Sequence, residues 1–187
     1  MATGVLPVFV GRATRAVEFA ESHEKEYLAG LRLGVETDTQ DITGTVLEER
    51  PVQAGEEAVR AVLPAFTGGI RQLPPMYSAV QVNGRRLYDL ARRGLEVERQ
   101  SRDISVDTLE LLPRQPGLPP RQPGLPPRDF DLRAVCSKGT YIRTLCHDIG
   151  AALGCGGCMA ALRRVRSGRI TLEDALTFEE ISALLAE

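Results

Sequence analysis

The sequence predicts an α+β domain built on a largely antiparallel or mixed sheet flanked by helices, and three observations point there. Strand-like and helix-like stretches are interspersed without the regular strand–helix–strand alternation of a parallel α/β fold. Residues 25–34 and 130–136 carry the period-2 alternation of strands covered mainly on one face. Tyr27, Ala29, Leu31 and Leu33 form that face in the first, and Phe130, Leu132, Ala134 and Cys136 in the second. Directly after the second strand, Ile142, Leu145, Cys146, Ile149 and Leu153 recur at helical spacing. A chain of 187 residues holds one domain with a proper core, or one domain and a small annex.

Taken in order, residues 5–10 (VLPVFV) read as a buried strand or strand entry, and 13–21 as a helix with Ala13, Val17 and Ala20 on one side. The strand over 25–34 is followed by an acidic loop over 37–43 and a short strand over 44–49. Residues 55–66 read as a helix whose stripe is Ala58, Val59, Val62 and Leu63. A loop over 67–75, held extended by Pro74 and Pro75, leads to a strand over 77–82. Asn83-Gly84 closes that strand with the strongest short turn signal in the chain. A short helix over 87–93 stops at Gly94, and residues 104–112 read as a further strand.

The heptad RQPGLPP then occurs twice in succession, at 114–120 and 121–127. So much Pro and Gly excludes a helix or a central strand, and 113–128 reads as an exposed, duplicated loop insertion, with proline-motif docking as the alternative. After the strand over 130–136, Ser137-Lys138-Gly139 makes a turn, Thr140 suits the N-cap of the next helix, and Gly154 sits at its C′ position. Residues 159–170 read as extended. Thr177 and Glu180 frame a capping box for a last amphipathic helix.

The helix after Thr140 begins with the wrong charge. Helix N-termini favour Asp or Glu, yet Arg143 occupies the first turn, Lys138 precedes it, and no acid follows until Asp148. This arrangement gains from an anion brought from elsewhere, either a phosphate or a carboxylate from a distant part of the chain; a solvated Arg143 is the alternative.

Composition narrows the class. A hydrophobic share of 43% and a charged share of 26% are ordinary for a globular domain. No apolar run is long enough to cross a bilayer and no signal peptide is visible, so the expected location is the cytoplasm. The net charge of −2 argues against a non-specific polyanion binder. Basic residues nevertheless cluster, at Arg85, Arg86, Arg92 and Arg93 and again at Arg163, Arg164, Arg166 and Arg169, as a phosphate-facing surface would require. Cys155 and Cys158 form a C-x-x-C, but Cys136 and Cys146 are poorly spaced to complete a zinc site, which favours buried free thiols.

Three segments carry a resemblance: KEYLAGLRLGVETDT at 25–39, PPMYSAVQVNGRRLYDLARRG at 74–94, and CSKGTYIRTLCHDIGAALGCG at 136–156. With MATGVLPVFVGRATR at the start and LRRVRSG at 162–168, they resemble the bacterial tRNA pseudouridine synthase B family over nearly the whole chain except the Pro-rich repeat. The resemblance implies the pseudouridine synthase catalytic fold. It also implies an isomerase that converts one T-loop uridine of tRNA, position 55, to pseudouridine by base flipping, with no cofactor and no metal. Tyr27 is then the catalytic tyrosine that stacks on the flipped base and assists proton transfer, Tyr141 lines the same pocket, Leu162 supplies an apolar wall, and Arg143 is catalytic through its pair with the catalytic aspartate. Tyr27 and Tyr141 as plain core aromatics, and Leu162 as a plain core residue, are the alternatives. Lys138, Arg163, Arg164, Arg166, Arg85 and Arg86 are the candidate contacts to RNA phosphates. The partner implied is the T-arm of tRNA, with the protein acting as a monomer and without a membrane.

One departure follows from the same resemblance. The family's nucleophilic aspartate lies in a Gly-x-Leu-Asp-Pro motif, which would place it two residues before Met1. The sequence thus predicts a reading frame that begins upstream or a shortened product. In either case residues 1–187 form a catalytic domain lacking its N-terminal part, without the C-terminal PUA domain many relatives carry. Such a chain is expected to be inactive by itself and to leave Arg143 without its partner. A non-catalytic tRNA-binding or RNA-folding protein is the second reading.

Overall fold

The computed structural model describes residues 2–18, 24–113 and 128–184. The two RQPGLPP repeats and the end of the helix expected over 13–21 lie outside the described residues.

The centre is a seven-stranded sheet ordered β1-β10-β2-β9-β8-β5, with β11 beside β10. Its strands are β1 (Ala2–Gly4), β2 (Lys25–Leu33), β5 (Gly68–Gln72), β8 (Arg102–Leu112), β9 (Asp129–Cys136), β10 (Gly157–Ser167) and β11 (Ile170–Thr171). Among the described residues, the β1–β10 pair is the parallel one in this sheet and its other pairs are antiparallel. The sheet is therefore mixed but mainly antiparallel, and with its flanking helices the fold is α+β. Two small hairpins stand apart from it: β3 (Val35–Thr37) with β4 (Val46–Glu49), and β6 (Gln81–Val82) with β7 (Arg85–Arg86).

Helices α1 (Glu56–Val62) and α3 (Ile142–Ala152) cover one face of this sheet. Ala29, Leu31 and Leu33 of β2 and Phe130, Leu132 and Ala134 of β9 pack there against Val59 of α1 and Ile142, Leu145, Cys146 and Ile149 of α3. This is the face the two alternations anticipated. Burying these side chains away from water is the main term holding α3 to the sheet. The approach is close at one point: a Cβ on Gly150 would lie 2.2 Å from the backbone nitrogen of Gly157. The shorter helices are α2 (Leu87–Ala91) and α4 (Phe178–Leu184). The expected capping box opens α4, with Thr177 N–H donating to Glu180 at 2.6 Å and Glu180 N–H donating to the Thr177 hydroxyl at 3.2 Å. All four cysteines are free and buried. Burial pushes the thiols of Cys136 and Cys158 up to about 11, and that of Cys146 further up, so they stay protonated.

Five expectations are corrected. Residues 5–10 are no buried strand: Val5 alone is buried, and Leu6, Val8 and Val10 are 72%, 74% and 78% exposed. The strand falls earlier, at Ala2–Gly4, because Val5 N–H still bonds Arg164 O at 2.8 Å and Pro7 has no donor with which to continue the ladder. A 3-10 turn over Gly11–Ala16 replaces the beginning of the expected helix. The loop over 67–75 contains β5, which pairs Gly68–Gln72 with β8; pairing overrides the poor strand propensity of two glycines. Of residues 77–82 only Gln81 and Val82 are strand, because the Ser78 and Val80 carbonyls accept from Tyr88 and Leu87 at the start of α2. The N-cap of α3 is Tyr141, not Thr140, and it has no side-chain cap of its own. The Asn83-Gly84 turn forms as expected, with φ of 51° and 74°, the left-handed pair of a two-residue hairpin.

Candidate active site

A cavity of about 540 Å³ opens where β2, β10, the β3–β4 loop and the start of α3 meet. Sheet register brings its walls together. Tyr27 lies opposite Arg164, Leu162 lies opposite Ala29, and Ala2 of β1 lies beside Leu162. Tyr141 and Arg143 enter from α3, and Asp41, Ile42 and Thr43 from the loop. Tyr27, Tyr141, Leu162 and Arg143, drawn from three distant parts of the chain, thus line one space. Burial raises the Tyr27 phenol above its ordinary value, with the Arg164 guanidinium pulling the other way, so the ring enters the cavity uncharged.

Arg143 is not left without a partner. Its Nη1 lies 3.6 Å from Asp41 Oδ2 and donates to Thr39 O at 3.5 Å, while its Nη2 donates to Tyr77 O. Asp41 thus supplies one carboxylate from a distant part of the chain at this helix start. The guanidinium carbon also sits 5.9 Å from the centre of the Tyr141 ring. Asp41 is itself well held: Thr43 donates to its Oδ1 from the backbone at 3.0 Å and from the hydroxyl at 2.5 Å. Burial pushes this carboxyl up, but the Thr43 and Thr39 hydrogen bonds and the Arg143 charge together bring it below its ordinary value. The loop is pinned to the sheet by Ile42 N–H to Met159 O at 2.8 Å and Met159 N–H to Gln40 O at 3.0 Å, and to α3 by Thr144 Oγ1 to Gln40 Oε1 at 2.7 Å.

The cations singled out in the sequence fall into distinct settings. Lys138 and Arg163 are exposed, the first on the turn before Thr140, the second on β10. Arg164 donates to Val5 O at 2.7 Å, and Arg166 is engaged by Glu26 at 3.1 Å and Glu24 at 3.7 Å. Arg85 and Arg86 stand exposed on the β6–β7 hairpin, where Arg86 donates to the Tyr88 hydroxyl at 2.8 Å and Arg92 lies 5.3 Å from the Tyr88 ring centre. Asp41 was missed in the sequence. The signal that could have found it is the Arg143 helix start together with the acidic run over 37–43. Among the described residues no group of three or more His, Cys, Asp or Glu is arranged to hold a metal ion.

The mainly antiparallel sheet and its flanking helices form the α+β fold shared with solved Cbf5 structures. The family model described as "TruB family pseudouridylate synthase (N terminal domain)" matches residues 1–142, and "tRNA pseudouridylate synthase B C-terminal domain" matches 143–187. The chain belongs to the TruB family. Similar curated proteins include the tRNA pseudouridine synthase B of Syntrophomonas wolfei, 49% identical over 97% of this chain and 58% of that protein. That of Alkaliphilus oremlandii is 43% identical over 98% and 58%. The chain therefore spans less than two thirds of the relatives it matches. Among solved structures, a Cbf5-Nop10-Gar1 complex aligns with a TM-score of 0.63 at 31% identity, covering 91% of this chain and 38% of that one. An H/ACA RNP bound to a substrate RNA containing 2'-deoxyuridine aligns at 0.57 and 28% identity, covering 91% and 36%.

Proposed function

We propose that this chain carries the uridine-binding half of a tRNA pseudouridine synthase site, acting on the T-loop uridine at position 55. The observation that carries the reading is the single cavity lined by Tyr27, Tyr141, Leu162 and Arg143. A base inside a folded RNA loop is reached by flipping it out, and the flipped base needs aromatic and apolar faces on which to stack. Tyr27 and Tyr141 supply the aromatic faces and Leu162 the apolar one. The reaction is an isomerisation: the N1–C1′ bond breaks, the base turns, a C5–C1′ bond forms, and the proton lost from C5 is balanced by one gained at N1. Within this cavity Arg143 holds positive charge where a reacting carboxylate and the sugar would lie, and Asp41 holds Arg143. By family resemblance the nucleophilic aspartate belongs to a Gly-x-Leu-Asp-Pro motif directly preceding the segment that Met1–Gly4 matches, and on the geometry of its pair with Arg143 we read Asp41 as the orienting acid, not the attacking one.

The test is release of tritium from uridine labelled at C5 in a T-stem-loop RNA. The 187 residues assayed alone are expected to bind the hairpin without release. The same chain preceded by a family Gly-x-Leu-Asp-Pro segment is expected to release tritium, and to lose that activity with Tyr27→Ala. Release by the 187 residues alone would overturn the assignment of the nucleophile. Absence of release from both proteins, with binding retained, would favour a non-catalytic RNA-binding role.

A further inference from the structure

We propose that Gln72 is a positioning residue for the pocket: its buried side-chain amide holds the Tyr141 peptide extended, so that the Tyr141 ring faces the cavity and Arg143 falls on the first turn of α3. The inference rests on the pseudouridine synthase reading of that pocket. Gln72 ends β5, remote in sequence from α3, and is only 3% exposed. Both ends of its amide engage one residue. Tyr141 N–H donates to Gln72 Oε1 at 2.8 Å, and Gln72 Nε2 donates to Tyr141 O at 3.1 Å.

The local geometry shows why this clamp does more than satisfy buried groups. Tyr141 is the N-cap of α3, with φ −98° and ψ 106°, and no side chain of its own segment caps the helix. The Thr140 hydroxyl, beside Cys136, makes no cap. In a capping box the N3 side chain reaches back to the N-cap N–H; here a residue of another strand fills that role. The Tyr141 carbonyl already receives Thr144 and Leu145 N–H at 3.1 Å each, so Gln72 adds a third donor and fixes the peptide plane. Were Tyr141 to wind into the helix, its ring would swing around the helix axis and out of the cavity. The strap that leaves Gln72, residues 73–77, closes back on the same helix start, because Arg143 donates to Tyr77 O. Helix start and strap thus hold each other at two points, one backbone-directed and one through the guanidinium.

The test uses the 187-residue chain and a T-stem-loop RNA carrying 2-aminopurine beside the target uridine, whose fluorescence rises when the neighbouring base leaves the stack. Gln72→Met keeps the volume and removes both hydrogen bonds; Gln72→Glu keeps the acceptor for Tyr141 N–H and loses the donor. The expected result is that Gln72→Met lowers the fluorescence rise about tenfold, as misplaced positioning groups do, while hairpin affinity changes by no more than about twofold. Gln72→Glu should recover part of the rise. A full rise in a folded Gln72→Met protein overturns the inference and leaves the pocket reading intact. If Gln72→Met fails to fold, Gln72→Glu decides: a reduced rise at unchanged affinity supports the clamp, and a wild-type rise overturns it. A wild-type chain that binds the hairpin with no rise at all overturns the pocket reading and this inference with it.

Discussion

At the scale of single residues, Asp41 governs the charge of the pocket. Its side chain is 19% exposed and that of Arg143 is 20% exposed, so the pair is shielded but not dry. Asp41→Asn removes the negative charge facing Arg143 and leaves a neutral amide oxygen beside the Thr39 and Tyr77 carbonyls as acceptors. The expected cost is about 1–3 kcal/mol, below that of breaking a fully buried pair because solvent still reaches the guanidinium. The pH dependence has a definite sign. The folded-state pKa of Asp41 is depressed, so its contribution is complete above the unfolded value near 3.9 and is lost as pH falls through the lower, folded value. Thermal unfolding followed from pH 6 to pH 2.5 should show the wild type losing its advantage over Asp41→Asn below about pH 4. Glu26, also depressed against Arg133 and Arg166 despite its burial, is common to both proteins and cancels in the comparison. A constant difference across that range would show that Asp41 is not the titrating group. The residues of this site were unequally legible. Tyr27, Tyr141 and Arg143 sit in segments with a recognisable pattern. Asp41 belongs to an irregular loop about a hundred positions from its partner, and no local periodicity reports such a contact.

At the scale of elements, α3 is set against the sheet by one glycine. The Cβ of an alanine at position 150 would lie 2.2 Å from Gly157 N and 2.5 Å from Gly157 Cα, and backbone on both sides leaves no flexible group to give way. Gly150→Ala should therefore push α3 off β10, costing about 3 kcal/mol or more although alanine is the better helix former. Denaturant unfolding checks this, and an unchanged midpoint would mean that helix and strand do not meet so closely. Because Tyr141 and Arg143 ride on the same helix, the pocket should loosen with it. The elements legible in the sequence share this dependence on a covered face. Strands β2 and β9 and helix α3 each bury one side, and their periodicity is the imprint of that burial. Strand β5 was not legible because Gly68 and Gly69 have no side chains to alternate and only the edge of β8 makes them a strand. The expected strand over 77–82 failed for the converse reason: its pattern was right, but two of its carbonyls are taken by α2.

At the scale of the whole molecule, a net charge of −2 sets the protein and an RNA against each other, so any affinity must come from local cations. Arg85 and Arg86 are exposed on their hairpin and Arg163 on β10, whereas Arg166 is drawn inward by Glu24 and Glu26. This sorts the two basic clusters into residues exposed to meet phosphate and residues already engaged within the protein, Arg164 among the latter through Val5 O. Binding of a T-stem-loop RNA should weaken steeply with salt, each phosphate contact contributing about 0.7–0.9 to the slope of log K against log salt. Removing Arg163 as Arg163→Gln should lower that slope by about one contact, with little dependence on RNA sequence. The double change of Arg85 and Arg86 to Gln should lower it by up to about two contacts. Arg166→Gln should behave differently: it removes the Glu24 pair and one of the two pairs of Glu26, which keeps Arg133 at 2.7 Å, and so lowers stability modestly, yet leaves the salt slope near that of the wild type. Fluorescence titrations between 50 and 300 mM salt, on the order of the range where counterion release dominates, separate these outcomes. Equal slopes for Arg163→Gln and Arg166→Gln would show that exposure in the free protein does not decide which arginines meet the RNA.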